Sequence, residues 1–422
     1  MAQKGARPVE RLIFHVDVNS AFLSWEAARR VGNGEKDIRM IPSAIGGDRD
    51  KRTGVILAKS IPAKKFNITT GEPVAMALRK CPDLFLAKPD FRLYEKCSKA
   101  FMDICRDYAP AVEKYSIDEC FLDMSGTKHI YPDPVALAHE IKDKIRDTLG
   151  FTVNIGIGDN KLLAKMASDF EKPDKVHTLF AHEIEAKLWP LPVRGLFSVG
   201  RATAERLEKA HIATIRDLAK TDLQRVQKLV GVKLGQQIYD YANGIDNSPV
   251  LSEAGDAKGY SISTTLEDDV KTTEAAHKVL FALADSVSSR MRTDGAKAYC
   301  VAVTIRGNDF KNKSHQKKLL VPTDITSEIF EISKSLFTEL WDKHTPLRLL
   351  GISLTDVSKD GYEQATLFPD EERERARKMD KAIDSIRNKF GMDAIARGSS
   401  VQSVEIGKKY KAQMENKSKP EK

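Results

Sequence analysis

The sequence predicts a multidomain α+β protein, on three observations. At roughly 150 residues per domain, a chain of 422 residues makes about three units rather than one. Its N-terminal part opens with strand, acidic turn and helix, then passes through helical spacing into a paired-strand pattern. A polar, turn-rich stretch at 245–258, "IDNSPVLSEAGDAK", then reads as a tether to a second set of alternating strands.

Taken in order, "RLIFHVDV" is a short apolar run of β-formers ending in Asp17, and "AFLSWEAARRVG" has helical spacing closed by Gly32. Residues 39–87 mix Gly, Pro and basic residues, and "LYEKCSKAFMDICRDY" is helical. In "YSIDECFLDMSG", 115–126, Asp118 and Glu119 stand side by side among strand-formers. A straight strand would send them to opposite faces. Antiparallel strands at 111–116 and 119–124, joined by a tight turn at Ile117 and Asp118, bring both to one sheet end. Further on, "AYCVAVTIRGNDFKNKSHQKKLLVP" alternates like a half-buried hairpin with its basic loop outward, and "LLGISLTDV" is the last strand. "MDKAIDSIRNKFG" reads as an amphipathic helix and "KKYKAQMENKSKPEK" as a flexible tail.

Composition excludes several classes. No apolar run approaches the ~20 residues that cross a bilayer, and "MAQKGARPVE" lacks the apolar core of a signal peptide, which points to the cytoplasm. Cys81, Cys97, Cys105, Cys120 and Cys300 are odd in number and show no CxxC spacing, against a disulfide framework or zinc site. A net charge of +8 suits a polyanionic partner. The charge is concentrated: residues 39–80 hold nine Lys or Arg against three acids, and 290–318 hold eight against two. Either region alone reads as a solvated face; two of them beside a carboxylate cluster raise the phosphate-binding reading.

Ionised carboxylates are rarely buried unless paired or metal-bound, because desolvating a lone charge costs several kcal/mol or more. Asp17, at the end of the first strand, is the third acid able to join Asp118 and Glu119. Carboxylate oxygens with no Cys or His pair suit Mg2+ better than zinc, and Mg2+ commonly bridges carboxylates to substrate phosphates. Phosphoryl or nucleotidyl transfer is the chemistry this set suggests.

"HVDVNSAFLSWE", "YSIDECFLDMSGT" and "VNIGIGDNKLLAKMASDFEKPD" resemble, in order and separation, the three palm signatures of Y-family DNA polymerases of the bacterial DinB and UmuC type. The similarity extends to about residue 405. It implies a right-hand polymerase: a palm split over 10–38 and 88–178, fingers at 39–87, a thumb at 179–244, a linker at 245–258 and a little finger at 259–360. A clamp-binding segment, a helix and a tail fill 361–422. Asp17, Asp118 and Glu119, with the Val18 carbonyl, are then expected to hold two Mg2+ ions; Asn19 replaces an aspartate common in the family.

The same resemblance places Phe22 below the sugar of the incoming nucleotide, where it excludes a 2′-hydroxyl, and sets Lys161 near the phosphates. The family's Tyr-Glu-Ala-Arg is here "IPAK", Ile61 to Lys64, so Lys64 supplies a point charge without the fork of arginine, and Ile61 donates nothing. "LFSVGRATAERLEKAHIATIRDLAK" resembles a helix-hairpin-helix with Ser198 in place of its first glycine. Gln364, Leu367 and Phe368 match the QxxLF form of bacterial sliding-clamp peptides.

The expected partners are primer–template DNA, dNTP and the sliding clamp; the protein is expected to be a monomer that makes no membrane contact. Error-prone translesion synthesis without proofreading is the implied activity. A non-catalytic DNA- and clamp-binding scaffold and a palm-fold nucleotide cyclase are the alternatives. The retained acids count against the first, and the thumb-like and little-finger-like regions against the second.

Overall fold

The computed structural model describes residues 11–47, 54–253, 255–359, 371–391 and 394–395. The chain divides into two compact units: Met1–Gly46, Ile56–Glu72 and Met76–Ala254 form the first, and Gly47–Val55, Pro73–Ala75 and Gly255–Lys422 the second.

The chain begins with β1 (Ile13–Val18), every residue of which is buried, and α1 (Ala21–Gly32). Next come β2 (Ser43–Gly46), β3 (Ile56–Lys59), the four-residue α2 (Ile61–Lys64), α3 (Val74–Lys80) and β4 (Phe85–Ala87). The three strands form a small sheet of order β3-β2-β4. Then follow α4 (Phe91–Arg106), β5 (Ala111–Lys114), β6 (Glu119–Asp123) and α5 (Pro134–Leu149). Asp133 starts α5 by accepting from Val135 and Ala136 N–H, and Gly150, left-handed at φ 74°, ends it. The large sheet is completed by β7 (Val153–Gly158) and β8 (Val176–Leu179), with α6 (Lys161–Ser168) between them; its order is β5-β6-β1-β7-β8.

Period-two alternation sorts the central strand. Phe14, Val16 and Val18 enter a core with Trp25, Tyr94, Phe101, Ile141 and Ile145 from α1, α4 and α5. His15 and Asp17 lie on the other face, the one α6 covers. Gly156 permits that packing, since a Cβ there would sit 2.0 Å from the Ala164 carbonyl and 2.4 Å from the Ser168 nitrogen. The opposite side of α6 supplies Leu162, Leu163 and Met166 to a helical layer that includes α7 (Arg201–Lys209), α8 (Ile215–Lys220), α9 (Leu223–Val230) and α10 (Val232–Ala242).

The stretch read as a tether is stitched down in its first half. Arg11 donates to the Ser248 carbonyl at 2.8 Å, Asp246 accepts from Leu162 N–H at 3.2 Å, and Glu113 accepts from Leu251 N–H at 2.8 Å. Val250 packs on Ile13, Phe121 and Ala164. Backbone groups of this stretch are thus satisfied by Arg11 and Glu113, and its Asp246 satisfies the start of α6 in return.

The second unit is a four-stranded antiparallel sheet of order β11-β10-β12-β9, formed by β9 (Gly259–Val270), β10 (Lys297–Gly307), β11 (Asn312–Thr323) and β12 (Leu347–Ser358). Its core is shared with α11 (Thr273–Thr293) and α12 (Thr326–Leu340). The basic run expected in a hairpin loop lies instead along β11, where Lys313, His315, Lys317 and Lys318 are exposed. As an edge strand, β11 tolerates polar side chains throughout. A last helix, α13 (Glu371–Phe390), starts before the apolar periodicity does, and its buried residues are Asp380, Ile383 and Arg387. Arg292 with Asp380 and Asp384, and Arg387 with Asp285, hold it to α11.

The five cysteines are free, and four of them are buried. No helix among the described residues is long and apolar enough to cross a membrane.

Candidate active site

In the β1–β6 register Asp17 stands opposite Glu119, and the Val18 N–H donates to the Asp118 carbonyl at 3.0 Å. The hairpin turn is wider than expected. Strands end at Lys114 and start again at Glu119, and both Tyr115 and Ser116 N–H donate to the Glu119 carbonyl at 3.0 and 3.1 Å. Ser116 causes this local turn, its hydroxyl donating to Asp118 Oδ1 at 2.6 Å and accepting from the Asp118 N–H at 3.2 Å. Asp118 thereby leaves the strand while Glu119 stays in it.

The acids differ electrically. Burial pushes Asp17 up to about 7; the Lys172 ammonium, 3.0 Å away, opposes this, and neighbouring Glu119 adds to it. For Glu119, burial works against ionisation, but the His15 ring and Lys165 outweigh it and hold the carboxyl well below its usual range. Lys165 Nζ lies 2.8 Å and His15 Nε2 3.7 Å from Glu119 Oε2. Burial lowers His15, whose Nδ1 bonds Ser168 Oγ at 2.8 Å.

Asp17, Val18 and Asp118 line one cavity of about 360 Å³ together with Ser20, Phe22, Lys59, Lys64 and Thr70. The Phe22 ring is stacked 4.6 Å from Tyr94 at 18°. The N-terminus of α1 opens here, with Ser20 left-handed and making no side-chain cap. The first N–H groups of a helix have no intrahelical acceptor and carry its positive dipole end. Glu119 is next to this cavity through Asp17 but is turned to Lys165.

Among the described residues, no three His, Cys, Asp or Glu side chains are already spaced as a metal cage. The donor set nevertheless suits a hard cation: Asp17 is desolvated beside a second carboxyl, and both Asp17 and Asp118 present oxygen to the same space.

Two other residues lie apart from this group. Lys161 is held by both Glu113 carboxylate oxygens at 2.7 Å and sits over the Phe121 ring. Ile61 is 55% exposed. Sequence reasoning passed over Lys172, Lys165, His15 and Lys59. The only sequence clue to Lys172 is the "EKPD" that closes the third motif. Asn19 has a structural reason: its amide donates to Asn154 and accepts from Thr152 and the Asp174 N–H, fastening the turn after Lys172. Ser198 keeps a glycine-like φ of 72°. Gln364, Leu367 and Phe368 lie outside the described residues.

The fold is that of a right-hand polymerase. It is similar to a solved Y-family DNA polymerase chimera of Dbh and Dpo4, with a TM-score of 0.70 at 21% identity over 82% of this chain and 99% of that one. The impB/mucB/samB family model matches residues 16–169 and its C-terminal domain 257–367, while a DNA polymerase-iota thumb domain matches 194–246. DNA polymerase IV of Clostridium acetobutylicum is 44% identical over 94% of this chain and 100% of its own length. That of Clostridium kluyveri is 37% identical, over 93% and 99%. DNA polymerase IV 1 of Bacillus subtilis is 33% identical, over 94% of each. The chain belongs to this impB/mucB/samB family of Y-family DNA polymerases.

Proposed function

We propose that the chain extends a primer on a DNA template, including damaged template, by nucleotidyl transfer from dNTP without proofreading. The observation that carries this is the shared cavity in which Asp17 and Asp118 meet Phe22, Lys64 and the uncapped start of α1.

Asp17, Asp118, Glu119 and the Val18 carbonyl are the residues to hold two Mg2+ ions. When bound, Mg2+ lowers the pKa of the primer 3′-hydroxyl and neutralises charge on the triphosphate and departing pyrophosphate. The protein's own part is positioning. The α1 N-terminus and Lys64 orient the triphosphate, and Lys172, through its pairing with Asp17, is proposed to take the role the sequence suggested for Lys161. Phe22 closes the sugar side. Lys165 keeps Glu119 ionised and fixed. The exposed basic edge of β11 suits a duplex backbone, and Gln364 to Phe368 are proposed to engage a sliding clamp.

Primer extension in Mg2+ tests the reading. Asp118→Ala is expected to abolish incorporation with primer–template affinity kept within about threefold, because the basic contacts with phosphate persist. Extension by Asp118→Ala at near the wild-type rate overturns it.

A further inference from the structure

The lysines of the first unit's site are not equivalent. Lys172 is paired with Asp17 and Asp169, Lys165 with Glu119, and Lys161 with Glu113. Lys59 and Lys64 line the same cavity as Asp17 and Asp118, yet neither ammonium meets a hydrogen-bond acceptor among the described residues. Glu72, the nearby acid, is already taken up by Lys80 at 2.6 Å and the Thr69 N–H at 2.7 Å.

The backbone beneath Lys59 is fixed. Lys59 is the last residue of β3, in register with Ala44, and the next residue is pinned on both sides. Ser60 N–H donates to the Ser43 carbonyl at 2.9 Å, and Ser60 Oγ accepts from Ser43 and Ala63 N–H, each at 3.1 Å. Lys59 and Lys64 thus project from a strand end and a helix end that share one serine hinge. Two cations that line one cavity without a hydrogen-bonded carboxylate repel, and Lys59 is lowered by burial and then by the charge of Lys64, against a smaller opposing effect of Glu72. A polyanion between them removes that repulsion, whereas a single carboxylate partner is not supplied by the fold.

We propose that Lys59 is a phosphate-binding residue of the nucleotide pocket, acting with Lys64 on the triphosphate of the incoming nucleotide. This rests on the polymerase reading above. Lys59 touches phosphate and is remote from the bond-forming oxygens by its role, so its loss raises KM for dNTP more than it lowers kcat.

The test uses the full chain bound to primer–template with Mg2+. Affinities for a non-hydrolysable dNTP analogue and for inorganic tripolyphosphate are measured for wild type, Lys59→Gln and Lys59→Arg, alongside primer–template affinity. Lys59→Gln is expected to weaken both ligands about tenfold. Lys59→Arg should stay within about threefold of wild type, and DNA affinity should not move. KM for dNTP should rise about tenfold in Lys59→Gln with kcat within about twofold.

Unchanged ligand affinity in Lys59→Gln overturns the assignment and leaves the polymerase reading standing. A parallel fall in primer–template affinity also overturns it and moves Lys59 to the DNA contact surface. A wild-type complex that binds no dNTP analogue overturns the polymerase reading, and this assignment with it.

Discussion

Asp17 and Glu119 face each other across adjoining strands, close enough for Glu119 to raise Asp17, and the two are shifted in opposite directions. Asp17 is raised from 3.8 to about 7, so its contribution to stability is full below the unfolded value and is lost as pH rises through the folded one. Glu119 is lowered, so its contribution is present above its ordinary 4.5 and is lost as pH falls. Between about pH 5 and 7 the Asp17 effect is opposed by His15, whose lowering by burial makes stability rise with pH, and comparison with Asp17→Asn separates the two. The melting temperature of metal-free wild type, relative to Asp17→Asn, is expected to fall across that window, and Mg2+ should flatten the fall. A difference independent of pH contradicts it.

Phe22 serves two neighbours, the cavity on one side and Tyr94 on the other. Truncation to Ala removes the surface against which a 2′-hydroxyl would clash. Each ~1.4 kcal/mol of barrier is tenfold in rate, so ribonucleotide incorporation should rise at least about tenfold while deoxyribonucleotide incorporation persists. The lost stacking should also cost about 1–3 kcal/mol of stability. Single-nucleotide kinetics and urea unfolding of the same preparation separate the effects. Unchanged sugar selection with lowered stability leaves Phe22 as packing alone.

Asp380 ties the start of α12 to a side chain near the end of α11. Its carboxylate accepts from the Thr326 N–H at the start of α12 at 2.8 Å and from Arg292, near the end of α11, at 3.3 Å. Both side chains are nearly inaccessible. Asp380→Ala leaves a buried guanidinium short of a partner and should destabilise the second unit by about 3–5 kcal/mol. Asp380→Asn keeps an acceptor for Thr326 and should cost less. Denaturant unfolding of both variants checks the order.

The acids were readable because each rests on local pattern: a β-rich run ending in Asp17, and an acidic pair where a strand must bend. The helices α1 and α4 follow from apolar spacing in the same way. Their cationic partners were not readable. Lys172 reaches Asp17 across 155 positions, and whether Lys161 or Lys165 meets Glu119 is decided by where α6 lies over the sheet. Period alone cannot tell two lysines one helical turn apart. Polarity misled twice more: in β11, an edge strand that needs no apolar outer face, and at 245–251, where Asp246 accepts from the Leu162 N–H and the Leu251 N–H donates to Glu113. The first two turns of α13 lacked an apolar stripe because ion pairs hold them, as Arg373 with Glu328 and Arg377 with Asp324 do.

That last helix separates two boundaries that are usually taken as one. The match to the family's C-terminal domain ends at residue 367 although similarity to whole relatives runs on past it, and the hydrogen bond that closes the α12 N-terminus and the countercharges of Arg292 come from residues 380 and 384. A gene fragment cut where that domain match stops would remove these, exposing a helix start and stranding a cation inside an otherwise complete sheet-and-helix layer. The matched domain and the stretch that satisfies its buried polar groups are therefore different lengths of the same chain, and α13 lies in the difference.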